Sequence, residues 1–321
     1  MEQTEELVVS EELVMSQKED NAYLTRQIKQ LKQEKKAVIL AHNYQRSEVL
    51  DLADIQGDSL ELSRAAAKTE AKVIVFCGVR FMAETASILC PDKMVLLPEI
   101  EAGCPLANHI TVDQLKAMRQ KYPDATVVCY VNSSAEVKAA SDICCTSANA
   151  VRVVNSLAGV KQVLMVPDKN LALYVSRHTD KQIIAWEGGC PAHCQLGVEE
   201  VLHMKALYPE AKFLAHPECN QQVLEMADCV TSTSGMLRYV DQSRAGEFIV
   251  GTEEGMAYVL HVAFPDRTFY RFPHSMICQD MKRVTLSSIV NALEKMQYVV
   301  NVSDEIRKPA MDCLSRMMNI G

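Results

Sequence analysis

The sequence lacks a long apolar segment, a secretory leader pattern and an excess of basic residues. No apolar run reaches the ~18 residues that a membrane-spanning helix requires. Residues 1–20 are rich in Glu and have no apolar core, so we do not expect a signal peptide. The 33 Lys and Arg residues against 41 Asp and Glu residues give a net charge of −8, which argues against general nucleic-acid binding. These absences predict a cytoplasmic protein that binds neither membrane nor nucleic acid.

Cysteine, by contrast, is abundant. In the absence of a secretory signal we do not expect a disulfide framework, and no two cysteines form the C-x-x-C pair of ferredoxins. We expect most of them to be small buried hydrophobic residues and a few to bind metal. The twelve cysteines lie at positions 77, 90, 104, 129, 144, 145, 190, 194, 219, 229, 278 and 313.

Short apolar runs alternate with helical patterns from residue 37 onward. Bare apolar runs are typical of strands that are covered on both faces. Alternation of strands and helices predicts parallel sheets with right-handed crossovers, so the fold class is α/β. The runs are AVILA (37–41), KVIVFC (72–77), KMVLLP (93–98), TVVCYV (126–131), DICCT (142–146), QVLMVP (162–167), QIIAW (182–186), KFLAH (212–216), DCVTS (228–232), EFIVG (247–251) and TFYRF (268–272).

The spacing of these runs indicates an internal repeat. Runs that start at 126, 142, 162 and 182 recur at 212, 228, 247 and 268, in steps of 86, 86, 85 and 86 residues. The runs before residue 100 fit the same step more loosely. We therefore predict three similar three-layer αβα units with short parallel sheets. The units can form a linear stack or close around a pseudo-threefold axis, and the site residues described next favour closure.

The repeat also predicts the domain boundaries. Residues 1–20 are expected to form a mobile acidic tail or at most a loose helix, followed by a basic amphipathic helix over 22–36. Residues 282–321 are expected to form two helices that pack back on the first unit. The predicted units are 21–107 together with 290–321, then 108–192, and finally 193–289.

Polar residues follow the first strand of each repeat, where ligands bind in α/β sheets. His42, Tyr130 and His216 are spaced by 88 and 86 residues, and Tyr44, Asn132 and Glu218 keep the same steps. Any one of these is more often a simple loop residue. Six in register predict polar groups that converge on one axis.

The next helix of each repeat is predicted to begin at a hydroxyl residue. Ser59 follows Asp58, and Ser147 and Thr233 lie 88 and then 86 residues further along. Such residues are ordinary helix caps. Three helix starts aimed at one centre would nevertheless form an anion pocket, because each offers free N–H groups and a positive dipole end. The predicted ligand is small and carries carboxylates or a phosphate.

A cysteine lies in the closing loop of each repeat. Cys104, Cys190 and Cys278 are separated by 86 and 88 residues. Three thiolates do not complete a structural zinc site, which usually has four protein ligands, but they suit three corners of a [4Fe–4S] cluster with one open iron. The local alternative is zinc bound by Cys190, His193 and Cys194.

At these residues the sequence resembles a known family, the quinolinate synthases. The resemblance runs from about residue 22 to the C-terminus. It is carried by AHNYQ (41–45), GDSLELSR (57–64), FMAETA (81–86), AGCPLA (102–107), YVNSSAEVKA (130–139), HPEC (216–219), TSGM (233–236) and GTEEGM (251–256).

The resemblance implies a transferase of NAD biosynthesis that condenses iminoaspartate with dihydroxyacetone phosphate to quinolinate, releasing phosphate and two waters. It implies three αβ units around a pseudo-threefold axis and one oxygen-sensitive [4Fe–4S] cluster on Cys104, Cys190 and Cys278. It also implies functional coupling to an aspartate oxidase or dehydrogenase that supplies iminoaspartate. The CxxCxxC run of some members is missing here, because Gln279, Asp280 and Met281 follow Cys278.

Site residues follow from the same resemblance. Glu218 is the best candidate for a general base, while Tyr44 and His42 are candidates for moving protons to leaving water. The predicted catalytic residues are His42, Tyr44, Tyr130, His216 and Glu218. The predicted substrate-binding residues are His42, Asp58, Ser59, Tyr130, Asn132, Ser147, His193, His216, Glu218 and Thr233.

Five further residues carry weaker expectations. Thr252, Glu253 and Glu254 follow a strand and could reach the site, but we expect a structural role for them. Lys169 and Lys282 could help to bind phosphate, but we expect them to be solvated. Two other functions stay open from the residues alone. One is a zinc-dependent hydrolase or aldolase-like enzyme on the same scaffold, and the other is an iron–sulfur sensor or binding protein without turnover.

Overall fold

The computed structural model describes residues 2–273 and 276–320, with side chains from residue 19 onward. The chain has an α/β fold with three separate parallel sheets of four strands, each flanked by helices. The predicted fold class is confirmed. The strands are β1 (Ala37–His42), β2 (Ile55–Gly57), β3 (Val73–Cys77), β4 (Met94–Leu96), β5 (Ala125–Tyr130), β6 (Ile143–Cys145), β7 (Gln162–Val166), β8 (Gln182–Ala185), β9 (Lys212–Ala215), β10 (Cys229–Val230), β11 (Glu247–Gly251) and β12 (Thr268–Arg271).

Helices connect the strands and cover the sheets. Two short 3₁₀ segments, Leu106–His109 and Met281–Arg283, lie in the connections. The helices are α1 (Glu2–Lys35), α2 (Ser47–Leu50), α3 (Ser59–Lys68), α4 (Arg80–Leu89), α5 (Val112–Lys121), α6 (Ala135–Ala139), α7 (Ala150–Ser156), α8 (Lys169–Ser176), α9 (Pro191–Cys194), α10 (Val198–Leu207), α11 (Gln221–Leu224), α12 (Thr233–Gln242), α13 (Gly255–Ala263), α14 (Leu286–Lys295) and α15 (Asp304–Met318).

The three sheets share one topology. Their strand orders are β2-β1-β3-β4, β6-β5-β7-β8 and β10-β9-β11-β12, and we call the corresponding parts of the chain the first, second and third units. Neighbouring strands within each sheet are parallel, so their carboxyl ends lie at one edge. All five residues of the inner strand β3 are buried, which explains why its sequence is uniformly apolar.

One strand was not predicted from the sequence. Strand β2 has the sequence Ile-Gln-Gly and pairs with β1 at the edge of the first sheet. Only one of its three residues is buried. A short edge strand of this kind has no apolar run to reveal it, and the predicted first unit therefore had one strand too few.

An aspartate stabilises the same strand pairing in each unit. The carboxylate of Asp54 accepts a hydrogen bond from the backbone N–H of Ile39 at 2.8 Å. Asp142 accepts from Val127 at 2.7 Å. Asp228 accepts from Phe213 at 2.9 Å. These aspartates are spaced by 88 and 86 residues, close to the spacing of the three cysteines. They were not predicted from the sequence, because each is a single polar residue before an edge strand.

The N-terminal helix is longer than expected. The helix expected over 22–36 begins at Glu2, so the segment predicted to be an acidic tail continues helix α1. Residues 2–20 contain neither Pro nor Gly and are rich in good helix formers, so nothing local ends the helix. Ile28 is fully buried, and α1 packs against α14 and β1. The boundaries of the three units stay a prediction.

The two C-terminal helices pack on different units. Helix α14 packs against α1 and β3 of the first unit, as expected, whereas α15 packs mainly against α6 and β6 of the second. The Cys313 sulfur of α15 lies 3.3 Å from that of Cys144. Strand β6 is an apolar edge strand that needs a cover, and the apolar face of α15 provides it. Over the described ranges, no helix combines the length and apolarity needed to cross a bilayer.

Candidate active site

A cavity lies at the carboxyl ends of the three sheets. Each unit contributes lining residues from just after its strands. Ligands bind at this edge in parallel sheets, so the cavity is the candidate active site. All the predicted site residues line it: His42, Tyr44, Asp58, Ser59, Cys104, Tyr130, Asn132, Ser147, Cys190, His193, His216, Glu218, Thr233 and Cys278.

Apolar residues complete the wall. Val79, Phe81 and Met82 come from the first unit, and Met281 comes from the 3₁₀ segment after the third. They were not predicted from the sequence, because apolar residues near a strand end look like core. They place the polar groups of the cavity beside apolar surface, which strengthens electrostatic interactions.

The three cysteine loops are held by the same backbone hydrogen bond. The N–H of Arg80 donates to the carbonyl of Ala102 at 2.8 Å, and the N–H of Lys169 donates to Gly188 at 2.8 Å. In the third unit Glu254 donates to Met276 at 3.0 Å. Each acceptor lies two residues before the cysteine of its loop. The repeat therefore directs one cysteine from each unit into the cavity.

The three thiols share a buried environment. Burial raises the pKa of Cys104 to about 12 and that of Cys278 to about 11. Burial also raises the pKa of Cys190 well above its usual range, and the charges of Glu218, Cys104 and Cys278 raise it further. Ionising all three thiols in this pocket therefore requires a bound cation.

A chain of hydrogen bonds joins four side chains across the cavity. The Glu218 carboxylate lies 2.9 Å from Nδ1 of His193. Nε2 of His193 lies 2.9 Å from the hydroxyl of Thr252, and that hydroxyl lies 2.6 Å from the hydroxyl of Tyr44. The chain runs from an acid in the third unit to a tyrosine in the first.

The charge of Glu218 sets the direction of the first of these bonds. Burial favours the neutral acid, but the imidazoles of His193 and His216 outweigh it and hold the pKa of Glu218 well below its usual range. An ionised carboxylate only accepts, so Nδ1 of His193 donates to Glu218. The Tyr44 hydroxyl and the Glu218 carboxylate are therefore linked through the side chains of Thr252 and His193.

Comparison with known proteins identifies the family. The family model described as quinolinate synthetase A protein matches residues 26–319. Quinolinate synthase of Methanosarcina barkeri is 54% identical over 299 residues, which are 93% of this chain and 98% of the relative. Quinolinate synthase of Geobacter sp. strain M21 is 53% identical over 293 residues, 91% of this chain and 96% of the relative.

The chain belongs to the quinolinate synthetase A family. A further relative, quinolinate synthase of Thermodesulfovibrio yellowstonii, is 51% identical over 291 residues, which are 90% of this chain and 96% of the relative. The residues matched by the family model, 26–319, include the three sheets and every residue that lines the cavity. The resemblance drawn from the short motifs is confirmed.

The donor set of this quinolinate synthetase A chain is compatible with a metal cluster. Among the described side chains, Cys190, His193 and Glu218 form a group whose donor atoms lie within 4.8 Å of one another. Cys194, which the zinc alternative required, is absent from that group, and its sulfur accepts from the Asn170 amide at 3.5 Å. Each unit contributes one buried thiol, and the three thiols ionise together only beside a bound cation. This set fits a thiolate-bound iron–sulfur cluster.

Two histidines occupy matching turns. The backbone N–H of Tyr44 donates to Nδ1 of His42 at 3.2 Å, and that of Glu218 lies 3.4 Å from Nδ1 of His216. Burial lowers the pKa of His42 to about 4 and also lowers that of His216. Neutral rings that accept at Nδ1 carry their proton at Nε2. On His216 that nitrogen lies 3.1 Å from the hydroxyl of Ser147.

The prediction that a helix begins at a hydroxyl residue is correct in two of the three units. Ser59 and Thr233 are the first residues of α3 and α12, capped by Asp58 and Ser232. In the second unit α7 begins only at Ala150. Asn149 accepts the backbone N–H of Thr146 at 2.8 Å, which forms a turn, so Ser147 reaches the cavity from a turn and not from a helix start.

The carboxylate of Asp58 is used by the fold. One oxygen accepts the backbone N–H groups of Leu60 and Glu61, both at 2.9 Å, which is the helix cap. The other oxygen accepts the Ser234 hydroxyl at 2.5 Å and so joins the first unit to the third. Asp58 lines the cavity, and its predicted contact with substrate stays a prediction.

Two residues that ranked low in the sequence support the site. Thr252 is buried and bridges Tyr44 and His193, yet its sequence context resembles an ordinary strand end. Lys282 was expected to be solvated, but its side chain is only 12% exposed and pairs with Glu253. Lys169 is exposed, as expected, and pairs with Glu187. The sequence did contain a signal for Glu253. It lies two residues after β11, and the buried Asp168 holds the matching position after β7.

Proposed function

We propose that the chain is a quinolinate synthase that condenses iminoaspartate with dihydroxyacetone phosphate. The products are quinolinate, phosphate and two waters, which balances the atoms of the two substrates. The observation that carries the proposal is the coupled set of Glu218, His193, Thr252 and Tyr44 beside three thiols from three units. Membership of the quinolinate synthetase A family supports it.

Cys104, Cys190 and Cys278 would hold one [4Fe–4S] cluster per chain. Such a cluster supplies a Lewis-acidic iron with a position open to a substrate oxygen. The high pKa of the three thiols means that loading the cluster releases protons, so loading should be favoured by higher pH.

Glu218 is the proposed general base. It is ionised and buried, with Nδ1 of His193 2.9 Å from one oxygen and the Asn132 amide 3.4 Å from the other. A carboxylate fixed in this way can remove a proton from carbon next to a carbonyl group. Hydrogen bonds to both oxygens limit its motion, and therefore the direction from which it accepts the proton.

Tyr44 is the proposed proton donor to a leaving hydroxyl. Burial and the charge of Glu218 raise the pKa of Tyr44 well above its usual range, so the phenol is neutral and can donate. Thr252 orients its hydroxyl at 2.6 Å. The neutral imidazoles of His42 and His216 offer Nε2–H donors to substrate oxygens. Tyr130, also buried and neutral, is a further donor.

Anionic substrate groups would be bound by hydroxyl and amide groups. Ser59 and Thr233 lie at the first turns of α3 and α12, whose positive dipole ends favour a carboxylate or a phosphate. Ser147 and Asn132 add donors from the second unit. Iminoaspartate hydrolyses unless it is used promptly, so an aspartate oxidase or dehydrogenase is the proposed functional partner.

Anaerobic reconstitution with iron and sulfide, followed by a quinolinate assay, tests the proposal. We expect a brown protein with about four irons per chain that forms quinolinate only when both substrates are present. A colourless protein that retains zinc would favour the zinc-dependent alternative. A brown protein that forms no quinolinate would favour the sensor or binding function.

A further inference from the structure

The third cysteine loop is held by a buried ion pair of two residues that are not among the predicted site residues. Nζ of Lys282 lies 3.0 Å from Oε1 of Glu253 and 3.1 Å from Oε2. The Glu253 side chain is completely buried and the Lys282 side chain is 12% exposed. A buried pair of this kind costs desolvation energy and is retained only where its remaining hydrogen bonds are satisfied.

Glu253 uses both carboxylate oxygens on the backbone of the loop and of the following helix. Oε1 accepts from the N–H of Cys278 at 3.1 Å, and Oε2 accepts from the N–H of Gly255 at 2.8 Å. Glu253 therefore binds directly to the backbone of a proposed cluster ligand. Its position is determined in turn by Lys282.

Lys282 connects this loop to the first unit. Besides Glu253, its ammonium group donates to the carbonyl of Tyr44 at 2.8 Å. Its distance to Glu254 is 3.7 Å. One ammonium group thus joins the turn that carries Tyr44 to the loop that carries Cys278.

The other two cysteine loops lack the lysine. The position two residues after the inner strand is Glu253 in the third unit, Asp168 in the second and Val79 in the first. Asp168 accepts from the N–H of Leu171 at 2.7 Å, and the backbone of Cys190 also stabilises its carboxylate. A lysine partner is recorded, among the described residues, only for Glu253. The third loop therefore depends on a charge pair where the first uses an apolar residue.

We propose that Lys282 and Glu253 are positioning residues that hold Cys278 in place as a cluster ligand. The ion pair fixes the Glu253 carboxylate, the carboxylate fixes the Cys278 backbone, and Lys282 ties both to the Tyr44 turn. The inference rests on the proposed three-cysteine cluster. It adds residues that support a ligand and take no part in the chemistry themselves.

The test is Lys282→Met in the full-length chain, loaded anaerobically with iron and sulfide. Removing the ammonium leaves the buried carboxylate without its counter-charge and frees the Tyr44 turn. We expect iron loss to a chelator to become about 10- to 100-fold faster, the range typical of residues that support metal ligands. The cluster absorbance reports the loss independently of turnover.

A second readout uses the unloaded chain. Alkylation of Cys278 by iodoacetamide, followed by peptide mass spectrometry, should become several-fold faster in Lys282→Met, while alkylation of Cys104 stays at the rate of the unsubstituted chain. Lys212→Met is the matched control, since Lys212 also pairs with a carboxylate of the third unit but is 47% exposed. That variant should change neither readout.

The double variant Glu253→Gln with Lys282→Met separates charge balance from global damage. It removes both charges, while the glutamine oxygen can still accept from the N–H of Cys278. Iron should therefore be lost to the chelator almost as slowly as from the unsubstituted chain. The inference is overturned if Lys282→Met keeps iron and alkylation within twofold of the unsubstituted chain. Equal acceleration at Cys104 and Cys278 overturns it too. Absence of quinolinate in the unsubstituted chain concerns only the proposed function.

Discussion

The two ends of the three sheets differ in how closely the units agree. Toward the amino ends, Asp54, Asp142 and Asp228 make the same hydrogen bond to the backbone of the neighbouring strand in all three units. At the carboxyl ends, the matching positions carry different side chains, such as Tyr44 in the first unit and Glu218 in the third. The three units keep the same residue where it stabilises strand pairing. They differ where they supply different chemical groups to one cavity.

The divergence occurs on an unchanged backbone. Tyr44 and Glu218 both follow a histidine by two residues, and the N–H of each points at Nδ1 of that histidine. One copy of this turn presents a neutral phenol and the other an ionised carboxylate. Substitutions at the carboxyl ends should therefore change chemistry, and substitutions at the amino ends should change stability alone.

The largest effect is expected at the cysteines. Cys190→Ala should reduce iron per chain to background after anaerobic reconstitution, because two thiols remain where the proposed cluster requires three. Cys194→Ala should bind iron normally, since the sulfur of Cys194 contacts Asn170. Iron and sulfide analysis of both variants is the measurement. The reverse pattern would move the ligand and break the threefold arrangement of the cysteines.

The next effect is expected at Glu218. Glu218→Gln keeps the size of the side chain but removes the charge that orients His193, Thr252 and Tyr44. We expect kcat to fall by about 10²- to 10⁴-fold, the usual contribution of a general base, with iron content unchanged. Steady-state quinolinate formation and iron analysis test this, and turnover near that of the unsubstituted enzyme would contradict the assignment of the base.

A smaller effect concerns stability at the carboxyl ends. Burial lowers the pKa of His42 to about 4, whereas an unfolded histidine titrates near 6.5. Between these values the unfolded chain binds a proton that the folded chain does not, so the free energy of unfolding falls as pH drops from ~6.5 to ~4, by about 3 kcal/mol. Denaturant unfolding at several pH values measures this.

His42→Gln should flatten that pH dependence. His203→Gln, at an exposed position on α10, is the control and should leave it unchanged. An equal pH dependence in all three chains would show that His42 is not the group responsible.

The smallest effect is expected at the amino ends. Asp228→Asn weakens the bond to Phe213 and removes the ion pair with Lys212. We expect the free energy of unfolding to fall by about 1 kcal/mol, as for one hydrogen bond, while kcat and iron content stay constant. Thermal unfolding combined with the quinolinate assay checks both halves. A loss of turnover would show that the two ends of the sheet are not independent.

Sequence patterns predicted the parts of the fold that depend on local burial. Buried inner strands such as β3 and β11 were found as apolar runs, and the repeat step then located one cysteine per unit. Strand β2 was missed because a three-residue edge strand has no apolar run. Helix α7 was placed three residues early, because a hydroxyl before a helix and a hydroxyl in a preceding turn look the same in sequence.

The amino-acid sequence by itself determined the α/β class, the threefold repeat and the set of side chains that follow the strands, because each of these is written in local periodicity and spacing. Only the tertiary structure decided that Thr252 bridges Tyr44 and His193, that Lys282 is buried against Glu253, and that α15 covers the second unit. Those contacts join residues that can be more than 200 positions apart. They arise from the way three separate sheets close on one another, which no local pattern records.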